Sequence, residues 1–298
     1  MKMVGFETKD YPGLYQAANQ YSLNGQKIYT RWFRIELFFL LGGAILGSVQ
    51  LDDSDLSKYI SGIAALIFVL GLSVNLFITL YKVEERWYIG RAIAESIKSM
   101  TWRYITRGEP YEDEETLASR KFPDALREIL NENKQFIAEG FLTATDTAPI
   151  TPKMQDVRKS SVDQRLKFYV SNRVCEQLKW YKDKAQLNSS KHLLFFNSSN
   201  LLYVFAIGYH IYLIINPQAF NLAPIFATAV GCAISWSKMK QYRELAQSYA
   251  VTANEIELIR HQAHFIESEK ELQGFIGDAE TAFSREHTLW LARRDILK

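Results

Sequence analysis

Glu257, His261 and His264 are the one set of side chains in this chain with the spacing of a metal site. The pattern Glu-x-x-x-His-x-x-His puts all three on one helix face, but zinc would need at least one further ligand. No fourth residue stands out, so a solvated helix face without metal or cofactor is expected. His-Glu-x-x-His, Gly-x-Ser-x-Gly and a phosphate-binding loop are absent, and no enzymatic activity is expected. Cys175 and Cys232 are too few for a disulfide framework, and one lies in a polar stretch while the other lies in an apolar one. The remaining candidates are polar residues inside apolar segments: Ser73, Asn75 and Thr79, then His210 and Thr228. An amide in hydrocarbon needs a partner or water, so Asn75 either lines a pore or makes one interhelical hydrogen bond.

These residues are carried by four apolar segments, 33–51, 59–81, 200–215 and 219–236, separated by polar stretches of helical periodicity. A helix needs about 20 apolar residues to cross a bilayer. Residues 60–81 meet that length without a charge, while the first segment includes Arg34 and Glu36, expected at the interface. The bland alternative for the second pair is a buried hairpin in a soluble bundle. Charge argues for membrane. Lys27, Arg31 and Arg34 precede the first segment, and Lys82, Arg86 and Arg91 follow the second. Lys182, Lys184 and Lys191 precede the third, and Lys238, Lys240 and Arg243 follow the fourth. The connecting loops carry Asp52, Asp53 and Asp55 in one case and no charge in the other. By the positive-inside rule both termini and the middle are cytoplasmic. MKMVGFETKDYPGLYQ lacks the apolar core of a signal peptide, so the first span is expected to act as the insertion signal.

The expectation is an all-α membrane protein with four transmembrane helices as two hairpins. Long helices extend from them into a cytoplasmic helical bundle. Apolar positions at Trp87, Ile89, Ile93, Ile97, Met100 and Ile105 predict one continuous helix leaving the second span. Residues 111–135 read as a charged helical insert, and 143–154, with Pro149 and Pro152, as a linker. The run from Glu244 to Leu297 reads as helical, broken near Gly274 and Gly277. A shift of 160 residues places Tyr21 on Tyr181 and one hairpin on the other, which divides the chain into units 1–110 and 156–298 around 111–155.

WYIGRAIAESIKSMTWRY at 87–104, followed by Glu109, Pro110 and Tyr111, resembles the two-span SLATT domains of bacterial conflict systems. FIGDAETAFSREHTLW at 275–290 is similar to the end of a second such domain. The resemblance covers most of the chain and implies a tandem arrangement. It further implies an inner-membrane effector that forms pores when a partner senses infection, the usual partners being nucleotide second-messenger synthases or nucleotide-binding sensors. No sensor domain of this kind is apparent in the sequence.

On this reading the chain is an oligomeric pore-forming effector or ion channel of antiviral defence, triggered by a nucleotide second messenger or a sensor protein. Ser73, Asn75 and Thr79 would line the pore, with Asp52, Asp53 and Asp55 as an outer acidic ring favouring cations. The alternative is a non-conducting scaffold that recruits a soluble partner through its cytoplasmic helices. Arg91, Glu95 and Arg103 are candidate inter-helix or regulatory residues, and Glu280, Glu286, His287 and Trp290 are candidates to pack against them. Arg91 and Glu95 are also spaced as an i,i+4 pair. The net charge of +2 is itself uninformative about nucleic acid, and no nucleic-acid partner is expected. Gly43 with Gly47, and Ala227 with Gly231, make small-residue faces that let helices approach closely in lipid.

Overall fold

A computed structural model describes residues 5–49, 54–134 and 148–295. The described residues form helices and connecting turns, with no strand. In chain order the helices are α1 (Gly13–Gly47), α2 (Ser54–Leu80), α3 (Val83–Thr106) and α4 (Glu115–Glu132). They continue with α5 (Pro152–Arg158), α6 (Val162–Tyr169), α7 (Cys175–Ile215), α8 (Ala223–Lys240), α9 (Tyr242–Gln262) and α10 (Glu269–Asp295). A π-helical turn, Val170–Val174, joins α6 to α7 without a break. Two helical runs, Asp55–Thr106 and Val162–Ile215, are long and apolar enough to cross a membrane. Among the described residues no other helix meets that length and apolarity.

The chain divides into two compact units. The first comprises Met1–Gln26, Glu85–Lys184 and Ser248–Lys298, and the second Lys27–Glu84 and Ala185–Gln247.

Aromatic rings build the core of the first unit. Trp102 on α3 is fully buried and lies 5.2 Å from Phe6, 6.0 Å from Phe168 and 5.7 Å from Tyr169, centroid to centroid. Its indole Nε1 donates to the Tyr11 hydroxyl at 2.9 Å, so the ring is buried without leaving its polar atom unpaired. Ala118, Phe122 and Leu126 on α4 recur every four residues and are buried, with Phe122 4.8 Å from Tyr104. The charged insert is thus part of this core. Pro152 does not mark a linker but begins α5, where a missing N–H costs nothing. Thr151 caps that helix and donates through Oγ1 to the Asp10 carbonyl at 2.7 Å. Residues 143–147 of the expected linker lie outside the described residues.

Two further expectations are corrected. The helix after the second apolar segment is interrupted at Lys82, whose φ is 45° and lies in the left-handed region. Gln241, between α8 and α9, has φ 51° and repeats that break 159 residues later. The C-terminal run breaks at 263–268 rather than near Gly274 and Gly277, which lie inside α10. Ser268 and Glu271 cap α10: Glu271 Oε2 accepts from the backbone N–H of Glu267 and Ser268 at 2.9 and 3.0 Å.

The second unit is organised in the opposite sense from a soluble core. Its buried residues are mostly small, among them Ala44, Ser48, Ala64, Val74 and Val230. Large apolar side chains such as Phe38, Leu66, Val204 and Ile214 are exposed, between 58% and 80%. Such faces are incompatible with water and fit lipid, where close backbone packing replaces the hydrophobic drive. α1 and α2 run antiparallel: Trp32 meets Phe77 at 5.0 Å, and a Cβ on Gly43 would meet the Phe68 ring at 2.8 Å. α8 also packs on α1, with the Arg34 guanidinium 5.2 Å from the Trp236 centroid and Lys240 Nζ donating to Thr30 Oγ1 at 3.2 Å. Among the described residues, a Cβ at Gly47 or Gly231 would meet nothing within 4 Å.

Candidate functional site

In the first unit, burial concentrates on charged groups that the apolar pattern conceals. Arg173 sits in the π-helical turn and Glu280 on α10, with side chains 3% and 0% exposed. Arg173 Nε donates to Glu280 Oε1 at 2.9 Å and Nη2 donates to Oε2 at 2.7 Å, a two-pronged ion pair. The Tyr169 hydroxyl donates to the same carboxylate at 2.8 Å, and burial beside that charge pushes its pKa up. Arg173 also lies 4.8 Å from the Phe283 ring centroid. Two more buried arginines tie helix ends together. Arg158 Nη1 donates to the Tyr104 carbonyl at 2.6 Å, Nη2 to the Asp113 carbonyl at 2.9 Å, and Nε to Glu115 at 3.0 Å. Arg165 pairs with Glu269.

Next to this network lies a polar cavity of ≈ 170 Å³ lined by side chains of α1, α3, α7 and α10. α3 supplies Arg91, Glu95 and Lys98 at spacings of four and three, which place them on one face. α1 supplies Tyr15 and Asn19, and α7 supplies Gln177 and Trp180. The Lys98 side chain is 18% exposed and approaches Glu95 Oε2 only at 3.8 Å. Burial lowers its pKa, against the opposing pull of Glu95. Burial, reinforced by the Glu95 charge, pushes the Tyr15 hydroxyl up to about 12, so it remains a donor at neutral pH. The Trp180 ring has Arg91 at 5.8 Å and Lys184 at 5.9 Å, with Tyr181 and Tyr249 angled against it at 4.9 and 5.2 Å.

The structure therefore brings Arg91, Glu95 and Lys98, which share helical spacing in the sequence, into one cavity. Arg103 reaches α10, donating to the Gly277 carbonyl at 3.1 Å and to Thr281 Oγ1 at 3.0 Å, while Glu280 pairs with Arg173 instead of Arg91 or Arg103. The side chains of Glu286, His287 and Trp290 fall outside the described residues. Among the described residues no group of three His, Cys, Asp or Glu side chains could hold a metal. Glu257 is engaged by Arg260 and, at 3.1 Å, by Lys182, whose hydrogen bonds lower its pKa. The His261 and His264 rings stand 5.9 Å apart, and His264 Nδ1 lies 3.1 Å from the His261 carbonyl. Both cysteines are free.

In the second unit, Asn75 Nδ2 donates to Glu36 Oε1 at 2.8 Å across the α1 and α2 contact. Asn75 is exposed, and Thr79 shares its face one turn on. Ser73 does not: two residues subtend about 200° on a helix. Its hydroxyl donates to the Val69 carbonyl at 2.8 Å, as that of Thr228 does to Pro224 at 2.8 Å, so neither needs an outside partner. Asp55 pairs with Lys58 at 2.9 Å at the exposed start of α2. Asp52 and Asp53 lie outside the described residues.

A helical membrane protein with large apolar faces outward in one unit, and the same order of long helix, hairpin, left-handed break and helix used twice, is the class these features define. Residues 12–166 match the family described as SMODS and SLOG-associating 2TM effector domain 3. Residues 169–290 match SMODS and SLOG-associating 2TM effector domain 1. The chain belongs to the SLATT family and carries two of its domains in tandem. Comparison with curated proteins and with solved structures finds no match.

Proposed function

We propose that this chain is an oligomeric pore-forming effector of the bacterial inner membrane. Its four apolar segments span as two hairpins with both termini in the cytoplasm, and it does no enzymatic chemistry. The observation that carries the reading is the hydrogen-bonded pair of Asn75 and Glu36 across α1 and α2, in a unit whose outward side chains are mainly large and apolar. An ionisable group facing lipid is unfavourable, whereas one facing a water-filled lumen is not. Two spans per domain are too few to enclose that lumen, so further copies must close it. Glu36 lies one turn deeper than Trp32 on α1 and gives the lumen a cation-favouring carboxylate near its inner end. The family's association with second-messenger systems supports a nucleotide or a sensor protein as trigger.

Ion conductance of the purified protein in planar bilayers tests this. Triggered currents that favour cations, and lose that preference in Glu36→Gln, are expected. Replacing Asp52, Asp53 and Asp55 by Lys tests the outer acidic ring, and unchanged selectivity would remove that ring from the account. A chain that oligomerises in lipid and stays silent with every trigger tried would leave the membrane scaffold as the better reading.

A further inference from the structure

Lys98 is a largely buried cation of the first unit with only one long ion-pair contact. Among the described residues its ammonium has no hydrogen bond, and its nearest carboxylate oxygen stands at 3.8 Å, the long limit of an ion pair. Arg173, a helix away, spends its charge on Glu280 in two short hydrogen bonds. A buried charge normally acquires such partners, because an unpaired one costs several kcal/mol or shifts its pKa. Lys98 instead borders a cavity whose lining consists mostly of donors: the Arg91 guanidinium, the Tyr15 hydroxyl, and the amides of Asn19 and Gln177. Tyr15 keeps its proton at neutral pH. The single lining carboxylate, Glu95, leaves the lining cations in excess by one.

The size of the cavity sets the occupant. One water needs about 10–15 Å³ by this kind of measure. A space of ≈ 170 Å³ therefore admits a compact anion with a few waters. A planar body would have to stack on Trp180, whose ring already meets Arg91, Lys184, Tyr181 and Tyr249. We infer that the cavity between α1, α3 and α7 is a binding site for a small oxyanion of the phosphate class, held by Lys98 and Arg91 with Tyr15, Asn19 and Gln177 as neutral donors. The anion gives Lys98 the hydrogen-bonded counter-charge that Glu95 supplies only at a distance. The site stands whether or not the spans conduct.

Isothermal titration of the full-length protein in lipid nanodiscs, at fixed ionic strength, tests the inference with inorganic phosphate and separately with acetate. Saturable binding of phosphate is expected, about tenfold weaker in Lys98→Met. Glu95→Gln should bind it several-fold more tightly, because the carboxylate that repels the anion is gone. Glu95 is partly exposed, so that variant keeps the test sharp even if Lys98→Met were to misfold. Acetate binding as tight as phosphate would still support an oxyanion site and assign it to small carboxylates. Absence of saturable heat with either anion, or phosphate binding that ignores both substitutions, would overturn the inference.

Discussion

Arg173 and Glu280 show how much a single buried pair can control. Removing one partner strands the other charge in the core, a loss of about 3–5 kcal/mol, whereas replacing both by apolar residues is often neutral. Glu280→Gln should therefore lower stability steeply, and Arg173→Met combined with Glu280→Leu should recover most of it. Chemical denaturation of the parent, Arg173→Met, Glu280→Leu and the double variant as a double-mutant cycle measures this, and additive losses would count against the pair. Lys98 makes a second prediction at this scale. Its folded pKa is depressed, so the unfolded chain binds that proton more tightly, and its desolvation weakens the fold at neutral pH. The penalty shrinks as pH rises from the depressed folded value to the ordinary lysine value. Lys98→Met should melt higher than the parent at pH 7, with the two converging near pH 10.5. A gap that does not depend on pH would refute that origin. Arg91, Glu95, Lys98 and Arg103 stood out through helical spacing, but a sequence does not report which carboxylate a buried arginine meets 107 residues away.

Helices α1 and α3 meet where their backbones nearly touch. A Cβ on Gly90 would come within 2.8 Å of the Ser22 nitrogen and 3.1 Å of the Ala18 carbonyl oxygen, and one on Gly25 within 2.6 Å of the Trp87 nitrogen. The Ser22 hydroxyl donates to the Trp87 carbonyl at 2.9 Å across the same contact. Gly90→Ala must push the helices apart, at about 1–3 kcal/mol. Gly274, inside α10, has open space around it, so Gly274→Ala should be neutral or add up to about 1 kcal/mol through helix propensity. Thermal melts of the two variants should therefore move in opposite directions, and a shared sign would disprove the close-contact account. Periodicity predicted these helices well, since burial on one face imposes a 3.6-residue repeat on the apolar positions. It could not locate the breaks at Lys82 and Gln241. A lysine or glutamine in the left-handed region leaves no trace in a hydrophobic pattern. The same limit applies at Pro152, which begins a packed helix although its sequence context reads as a linker.

Across the whole chain, the two family matches and the two compact units do not coincide. Residues 12–166 and 169–290 are successive in sequence, yet each unit draws on both. Trp102 and Phe6 belong to the N-terminal part, while Phe168, Tyr169 and Phe275 complete the same core. A fragment ending at residue 166 should therefore lose the first unit's fold while keeping its apolar helices. Limited proteolysis in lipid checks this: rapid cleavage throughout 85–134 is expected, and a protected fragment would show that the domain folds alone. The sequence by itself determined the helical class, the membrane character, the tandem family relationship and the positions of the apolar segments. The family relationship rests on the resemblance of the motifs at 87–104 and 275–290, and the rest follows from composition and short-range periodicity, which act along the chain. Only the tertiary structure decided that Lys98 joins Arg91 and Glu95 around a cavity, that Asn75 meets Glu36, and that two repeats share one core. Each of these depends on which side chains meet across long separations, and packing and desolvation select those partners only once the helices are assembled.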